Sequence, residues 1–375
     1  MKGGAKAAAL VAAAAGAYAI WRKAGRGLPP SPPDLRLDGY AEAGSDRGRG
    51  NLLGVQPYML PDDYASEERF RAKLNGYLDA ARQRGWLSEK TIVVLPEDLG
   101  LWLVAVDEKR SVYREPSVAG AAKTLALSNL LPFARHMVFS PARDRVKYSL
   151  FRMKAARLSA IYGRVLSGLA RTYRVTVVGG SFLLPSPRVH RGRLHAGRGR
   201  LYNVCPVYRP DGRPHEKLTL KAYPVPDESP FVAAATADPP VYHTPAGRLG
   251  VLICVDAWFA EPYDALRRQE AQIVAVPSYA FPNDHWFKPW GGYVHLERPA
   301  DVAETDVGAL AAGQAWVRYA LPGRIGASGA RYGMNVFLRG RLWDMGSDGH
   351  TIAVADGEVI EARHVDGASL TNVWL

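Results

Sequence analysis

Short, largely apolar runs recur along this chain and alternate with longer segments in which apolar side chains keep helical spacing. Runs of this length and composition are typical of buried strands, and helical spacing is typical of helices with one packed face. The alternation continues as far as Ser278 and predicts a layered α/β domain. The predicted strands lie at residues 51–56, 91–95, 175–178, 249–253 and 272–278, and the main helices at 65–85 and 143–173.

The composition sets the class of protein and its range of partners. The 375 residues are 47% hydrophobic and 22% charged, which is typical of a globular protein. The net charge of +12 predicts a surface that attracts polyanions, either anionic lipid or nucleic acid. Because no zinc-finger, homeodomain or RNA-recognition signature accompanies the charge, we expect no nucleic-acid partner.

The N-terminal segment, residues 1–26, has basic residues at both ends and an uncharged stretch at 7–21. Trp21 followed by two basic residues is typical of a membrane border and favours an uncleaved hydrophobic anchor helix. The alternatives are a signal peptide with a cleavage site at 17–19 and a disordered tail. The basic residues after the segment favour a cytoplasmic catalytic domain, which we expect to be membrane-associated.

The remainder divides into a linker and one domain. Proline and glycine at 27–50 predict a linker, followed by a domain at 51–375 with an insertion at about 101–141. Within the insertion, the apolar residues at 119–139 predict either a core helix or an element that covers the site or dips into a membrane. The strongly basic helix at 143–173 presents either a solvated face or a face that lies on anionic lipid.

Cys254 is the candidate nucleophile. It follows the predicted strand at 249–253 and precedes a predicted helix at 263–271, and helical N–H groups favour the nucleophilic thiolate. The alternative is that Cys254 is a small buried apolar residue, as most free cysteines are. The only other cysteine, Cys205, is expected to face the core, so the chain has no disulfide framework.

Two further strand ends carry charged residues. Glu97 follows the strand at 91–95 and would act as a base if a dry pocket raised its pKa. Lys221 ends the second arm of a predicted hairpin that turns at 209–213, and it would stabilise an oxyanion. Read singly, Glu97 could instead cap a helix and Lys221 could pair with a surface acid.

The order Glu97, Lys221, Cys254, together with Tyr-Pro-Val-Pro-Asp-Glu after the lysine, resembles the nitrilase or carbon–nitrogen hydrolase superfamily between about residues 51 and 357. The resemblance implies a four-layer α-β-β-α sandwich. It also implies that Glu228 orients the substrate or the attacking group. The backbone N–H of Val255, next to the cysteine, is a natural second donor to the oxyanion.

The residues after Cys254 indicate which branch of the superfamily the chain resembles. Asp256 and Trp258 belong to a stretch that resembles the amidase pattern Cys-Tyr-Asp-x-x-Phe-Pro-Glu, with valine for tyrosine and alanine for proline. True nitrilases usually carry Cys-Trp-Glu there, so hydrolysis of nitriles is disfavoured. We treat both residues as supporting or substrate-binding.

These features predict a cysteine-dependent amide hydrolase that works through a thioester, on a small-molecule or lipid-linked amide. An N-acyltransferase with the same triad and a catalytically silent binding protein are the alternatives. The histidines lack the spacing of a zinc site, so we expect no metal and no cofactor. A homo-oligomer is expected by analogy with the superfamily.

Overall fold

The computed structural model describes residues 2–294 and 296–375. The helices are α1 (Lys2–Lys23), α2 (Glu67–Gln83), α3 (Arg110–Arg114), α4 (Val118–Ser128), α5 (Leu130–Val138), α6 (Arg145–Tyr173), α7 (Ala260–Arg268), α8 (Ala312–Tyr319) and α9 (Leu321–Ser328). Short 3-10 turns lie at Pro61–Tyr64, Leu101–Ala105, Cys254–Trp258 and Glu304–Asp306.

The strands of the described part fall into two main sheets and smaller ribbons. They are β1 (Leu37–Ala43), β2 (Asn51–Gln56), β3 (Tyr58–Met59), β4 (Thr91–Val94), β5 (Thr176–Val178), β6 (Phe182–Pro185), β7 (Arg188–His190), β8 (Arg193–His195), β9 (Leu201–Cys205), β10 (Val207–Tyr208), β11 (Thr219–Leu220), β12 (Val241–Thr244), β13 (Gly247–Val251), β14 (Ile273–Ser278), β15 (Tyr332–Phe337), β16 (Arg339–Leu342), β17 (Met345–Ser347), β18 (Ile352–Ala355), β19 (Glu358–Glu361) and β20 (Ala368–Trp374).

Each main sheet has six strands. The first runs β1-β20-β2-β4-β5-β10, and β2, β4 and β5 are parallel at its centre. The second runs β12-β13-β14-β15-β18-β19, and β13, β14 and β15 are parallel at its centre. The carboxyl ends of β4 and β13 lead to Glu97 and Cys254, whereas Lys221 follows β11 of a separate three-stranded sheet, β11-β9-β6.

The two sheets pack face to face, with helices on both outer faces. Leu52 and Val94 of the first sheet share one apolar core with Val251 and Met334 of the second. The opposite face of the first sheet packs on α2 and α6, and that of the second packs on α7 and α9. This arrangement is the predicted α-β-β-α sandwich, and it leaves each central strand buried on both faces, which explains why those strands are apolar.

The helix ends follow local capping chemistry. The Ser66 hydroxyl accepts the Arg69 N–H at 3.2 Å, so α2 begins at Glu67, two residues later than the expected start. The Asp144 carboxylate accepts the Lys147 N–H at 2.9 Å and fixes the start of α6 in the same way. Its end is set by Arg174, which adopts a left-handed conformation with φ 53°.

The predicted linker is partly wrong. Residues 37–43 of the expected linker form β1, which pairs in parallel with β20 at the edge of the first sheet. Its residues alternate between half-buried and exposed, as expected for an edge strand with one covered face. The folded unit therefore begins before residue 51.

The N-terminal segment forms α1, but the predicted transmembrane anchor is not supported. Across residues 2–294 and 296–375, no helix combines the length and apolarity needed to cross a bilayer. Alanine and glycine dominate α1, and they contribute little apolar surface.

The apolar segment at 119–139 forms two helices with different burial. On α4, Ala121 and Leu125 are buried, as a core helix requires, whereas α5 buries none of its residues. The segment is therefore neither a simple core helix nor a loop.

Candidate active site

Three strand ends bring the predicted residues together. Glu97 follows β4, Lys221 follows β11, and Cys254 follows β13. The Lys221 Nζ lies 2.8 Å from Oε1 of Glu97 and 2.6 Å from Oε2 of Glu228. Glu97, Lys221 and Cys254 are at most 5% exposed, while Glu228 is half-buried. The catalytic roles of these residues remain predictions.

The Cys254 side chain is held between Glu97 and Tyr279. Its backbone is left-handed, with φ 51°, and its Sγ lies 4.0 Å from the carbonyl oxygen of Tyr279. Burial raises the pKa of the thiol well above its ordinary value, the charge of Glu97 and a hydrogen bond to it raise the pKa further, and Lys221 opposes them. Burial and the carboxylate therefore favour the protonated thiol at rest, against the thiolate that the helix N-terminus was expected to favour.

The charged partners have the states that a base and an oxyanion donor need. Burial raises the pKa of Glu97, Lys221 lowers it, and Glu228 raises it again. Burial opposes a charge on Lys221, but the carboxylates of Glu228 and Glu97 raise its pKa well above the ordinary value. These shifts favour a charged Lys221 and a Glu97 carboxylate that is more basic than usual.

Asn203 joins the two carboxylates and was not predicted as a site residue. It is fully buried on β9, and its Nδ2 donates to Oε1 of Glu97 at 3.0 Å and to Oε1 of Glu228 at 3.1 Å. A buried asparagine in an otherwise apolar strand was the available signal, since buried amides need partners.

Asp256 connects the 3-10 turn that contains Cys254 to the residues that follow Lys221. Its carboxylate accepts the backbone N–H groups of Ala222 at 3.0 Å and Tyr223 at 2.9 Å. Burial raises the pKa of Asp256 to about 7, against these hydrogen bonds and the charge of Lys221. Asp256 therefore positions Lys221 beside Cys254.

Val255 and Trp258 differ in their placement. Val255 directly follows Cys254 in the 3-10 turn and is half-buried, so its N–H is close to the thiol in sequence and in space. The ring of Trp258 instead stacks on Trp290, with ring centres 5.5 Å apart, and meets Trp316 edge-on at 4.7 Å. Trp258 therefore packs in an aromatic cluster behind the turn.

The turn at Gly180 packs against Pro96, the residue before Glu97. Gly180 has φ +66°, and a Cβ there would lie 2.2 Å from the carbonyl oxygen of Pro96. The next residue, Ser181, accepts the Asp98 N–H on its hydroxyl at 3.1 Å. Glycine at 180 is therefore required both by the left-handed backbone and by the close approach to the residue before Glu97.

Carboxylate oxygens of Glu97, Asp98 and Glu228 lie within 4.8 Å of one another. Such a group can hold a cation on geometry alone. Here the Lys221 ammonium already bridges Glu97 and Glu228, so the cation that balances them is part of the protein, and we assign no metal to the site.

Comparison with known proteins gives the family. The family model described as carbon-nitrogen hydrolase matches residues 158–319, which include Lys221, Glu228 and Cys254. This match confirms the predicted resemblance to the nitrilase, or carbon–nitrogen hydrolase, superfamily.

Curated nitrilase-superfamily relatives are amidases. A deaminated glutathione amidase from Synechocystis is 32% identical over 146 residues, 36% of this chain and 50% of that protein. The omega-amidase NIT2 of Danio rerio is 30% identical over 134 residues, 34% of this chain and 44% of that protein. The chain thus matches about half the length of these relatives.

Solved nitrilase-superfamily structures share the fold. The amidase from Nesterenkonia sp. AN1, in a mutant with acrylamide added at its active-site cysteine, has a TM-score of 0.54 at 14% identity and covers 87% of this chain and 93% of its own. Another mutant of that amidase, bound to butyramide, has a TM-score of 0.53 at 15% identity, over 87% of this chain and 91% of its own. At this identity the likeness establishes the fold alone.

Proposed function

We propose that the protein hydrolyses the carbon–nitrogen bond of non-peptide amides through a thioester on Cys254. The observation that carries the proposal is the buried cluster in which Lys221 contacts Glu97 at 2.8 Å while the charges of both residues act on the Cys254 thiol. The amidase names of the relatives support the same class of substrate.

In the first step, the Cys254 sulfur attacks the amide carbonyl and Glu97 takes the thiol proton. Negative charge develops on the carbonyl oxygen. Lys221 has three N–H donors and uses two on carboxylates, so the third is available for this oxygen, with the Val255 N–H as the second donor. Collapse of this intermediate breaks the carbon–nitrogen bond, and Glu97 returns the proton to the departing amine.

In the second step, water attacks the thioester. Glu97 takes a proton from the water, the same donors stabilise the oxyanion, and the carbon–sulfur bond breaks to give the carboxylic acid and the Cys254 thiol. Glu228 and Asn203 hold Lys221 and Glu97 in place throughout.

Ammonia release from short aliphatic amides such as butyramide, with intact-protein mass spectrometry, tests this function. We expect turnover and an acyl adduct on Cys254, and neither in Cys254→Ala protein. Failure of Cys254 to react with a small thiol reagent in the folded protein would instead favour a catalytically silent binding protein.

An N-acyltransferase would use the same first step but transfer the acyl group to an amine. Adding hydroxylamine to the acylated enzyme separates the two. We expect water to remain the main acceptor at millimolar hydroxylamine, and a predominant hydroxamate product would assign the protein to acyl transfer.

We also propose that the protein lies against an anionic membrane surface. Large apolar side chains of the α5 region are exposed: Leu131 at 71%, Val138 at 68% and Phe139 at 76%. The Tyr18 hydroxyl of α1 donates to the Leu127 carbonyl and accepts the Leu130 N–H, so α1 and α5 form one surface. Neither residues 1–33 nor residues 116–143 contain an acid, and both contain basic residues, which complements anionic lipid.

Vesicle flotation tests this surface. We expect binding to phosphatidylglycerol-containing vesicles and much weaker binding to pure phosphatidylcholine, with loss of binding in Leu131→Ser/Phe139→Ser. The matched control is Val359→Ser on β19, another exposed apolar position. Concentration-dependent dimerisation that the double variant abolishes, without vesicle binding, would show that a second copy covers the surface.

A further inference from the structure

Polar atoms beside the proposed catalytic residues lack partners. Within the described residues, the Oδ1 of Asp98 and the hydroxyls of Tyr64 and Tyr279 are buried without a hydrogen bond. A buried polar atom with no partner destabilises the fold, because it has lost its hydrogen bonds to water. Tyr64 is fully buried, whereas Asp98 and Tyr279 are half-buried and connect the group to the surface. A bound polar ligand would supply the missing partners.

Asp98 and Tyr279 adjoin the proposed catalytic residues, and Tyr64 lies near both of them. Asp98 directly follows Glu97 in a left-handed conformation, with φ 59°, and its carboxylate lies within 4.8 Å of those of Glu97 and Glu228. Tyr279 is the residue whose carbonyl oxygen is 4.0 Å from the Cys254 Sγ. Burial raises the pKa of the Tyr64 and Tyr279 phenols, and the nearby charge of Asp98 contributes to both shifts.

The charges around Asp98 favour a cationic ligand. Lys221 is already shared between Glu97 and Glu228, so the third carboxylate, Asp98, has no cation of its own in this cluster. Burial raises the pKa of Asp98 well above its ordinary value, the charges of Glu97 and Glu228 add to the shift, and Lys221 opposes it. A cation placed beside Asp98 would restore the ionised form, whereas an anion would meet three carboxylates.

We propose that Asp98, Tyr64 and Tyr279 form a subsite for an ammonium group on the acyl part of the substrate. An ammonium has three N–H donors, and the Asp98 oxygen and the two phenol oxygens are three acceptors. The inference rests on the proposed amide hydrolysis and narrows its substrates to amino-bearing amides.

Matched amides test the subsite. β-Alaninamide carries an ammonium where butyramide carries a methyl group, and malonamate carries a carboxylate. We expect kcat/KM for β-alaninamide at least tenfold above that for butyramide, and malonamate to be poorest. In Asp98→Asn and Tyr279→Phe this ratio should fall toward one, whereas Asp62→Asn, which changes an exposed carboxylate, should keep it. Butyramide or malonamate as the preferred substrate would overturn the subsite and leave amide hydrolysis standing.

A binding measurement separates the subsite from the chemistry. In Cys254→Ala protein, β-alaninamide should raise Tm more than butyramide does, and adding Asp98→Asn should remove the difference. Equal shifts for the two ligands would overturn the subsite. Absence of turnover for every amide, together with a retained difference in Tm, would overturn the hydrolysis and leave the ammonium site.

Discussion

The regions around Cys205 and Cys254 bury two thiols almost equally but surround them differently. Cys205 ends β9, is fully buried, and has the Pro206 carbonyl oxygen 3.9 Å from its sulfur. Burial raises its pKa, and the N–H groups of Gly179 and Gly180 only partly oppose the shift. Cys254 also has a raised pKa, but the opposing charges of Glu97 and Lys221 both act on its thiol.

The difference means that neither burial nor the direction of the pKa shift separates the proposed nucleophile, Cys254, from the core thiol of Cys205. A buried thiol with no base has no route to the thiolate. A buried thiol beside Glu97 can lose its proton at the moment of attack, and Lys221 can hold the charge that results. If Glu97 and Lys221 account for the difference, substitutions near Cys254 should change activity and substitutions near Cys205 should not.

The largest effect is expected from exchanging the thiols themselves. Cys254→Ala should lower amide hydrolysis by roughly a thousandfold or more, because it removes the atom that forms the thioester. Cys205→Ser is the matched control and should retain activity within a few-fold, measured as ammonia release after a check of Tm. Comparable losses in both variants would remove the distinction between the two regions.

Glu97→Gln should have opposite effects on hydrolysis and on simple alkylation. Amide hydrolysis should fall about a hundredfold or more, because no base takes the thiol proton or returns it to the amine. The pKa of Cys254 should fall, because the carboxylate that raises it is gone and Lys221 remains. Acrylamide should therefore label Cys254 faster than in the unchanged protein.

Cys205 is the internal control, because the charges that set its pKa do not include Glu97. Its labelling, followed by peptide mass spectrometry after brief exposure, should stay low and unchanged. Slower labelling of Cys254 in Glu97→Gln would mean that the carboxylate activates the resting thiol rather than taking its proton during attack.

Gly180→Ala should have a smaller effect, about tenfold on kcat. Gly180 lies between the two regions: its N–H faces Cys205, and an added Cβ would collide with the carbonyl of Pro96. Glu97 should therefore shift. Gly192→Ala is the matched control, with φ +68° and no atom within 4 Å of the added Cβ. Equal losses in both variants would attribute the effect to backbone strain alone.

The sequence predicted the strand-end residues because each one follows an apolar run directly, and the order of three such ends indicated the family. It also predicted β2 to the residue, since that strand is buried on both faces. The prediction of a linker at β1 is wrong because the strand lies in a Pro- and Gly-rich stretch and has only one covered face. Its pairing with β20, the last strand, cannot be read from neighbouring residues.

The parts of the site that the sequence did not reveal depend on tertiary neighbours. The helix after Cys254 suggested a thiolate, but burial and the Glu97 charge, which come from distant segments, decide the opposite. Tyr64 and Tyr279 lie on different elements, and only the folded chain places both near Asp98. No spacing rule along the sequence connects them.

The last difference concerns stability rather than activity: Asp256 is expected to make the stability of the protein depend on pH. Its folded pKa is about 7, whereas an unfolded aspartate has about 3.9. The folded state therefore binds the extra proton between these values. Asp256 contributes stability that is fully present at low pH and is lost as the pH rises from about 4 to about 7, by at most about 1.4 kcal/mol per pH unit.

Asp256→Asn removes this titration, so the free energy by which the unchanged protein exceeds the variant should be larger at pH 5 than at pH 7.5, measured by urea unfolding. Cys205 supplies the contrast, since its partner in the β9–β11 ladder is Thr219, which does not ionise. Cys205→Ser should therefore shift the free energy of unfolding by the same amount at both values of pH. A pH-independent difference for Asp256→Asn would mean that the carboxylate is ionised in the folded protein, held so by the backbone N–H groups of Ala222 and Tyr223.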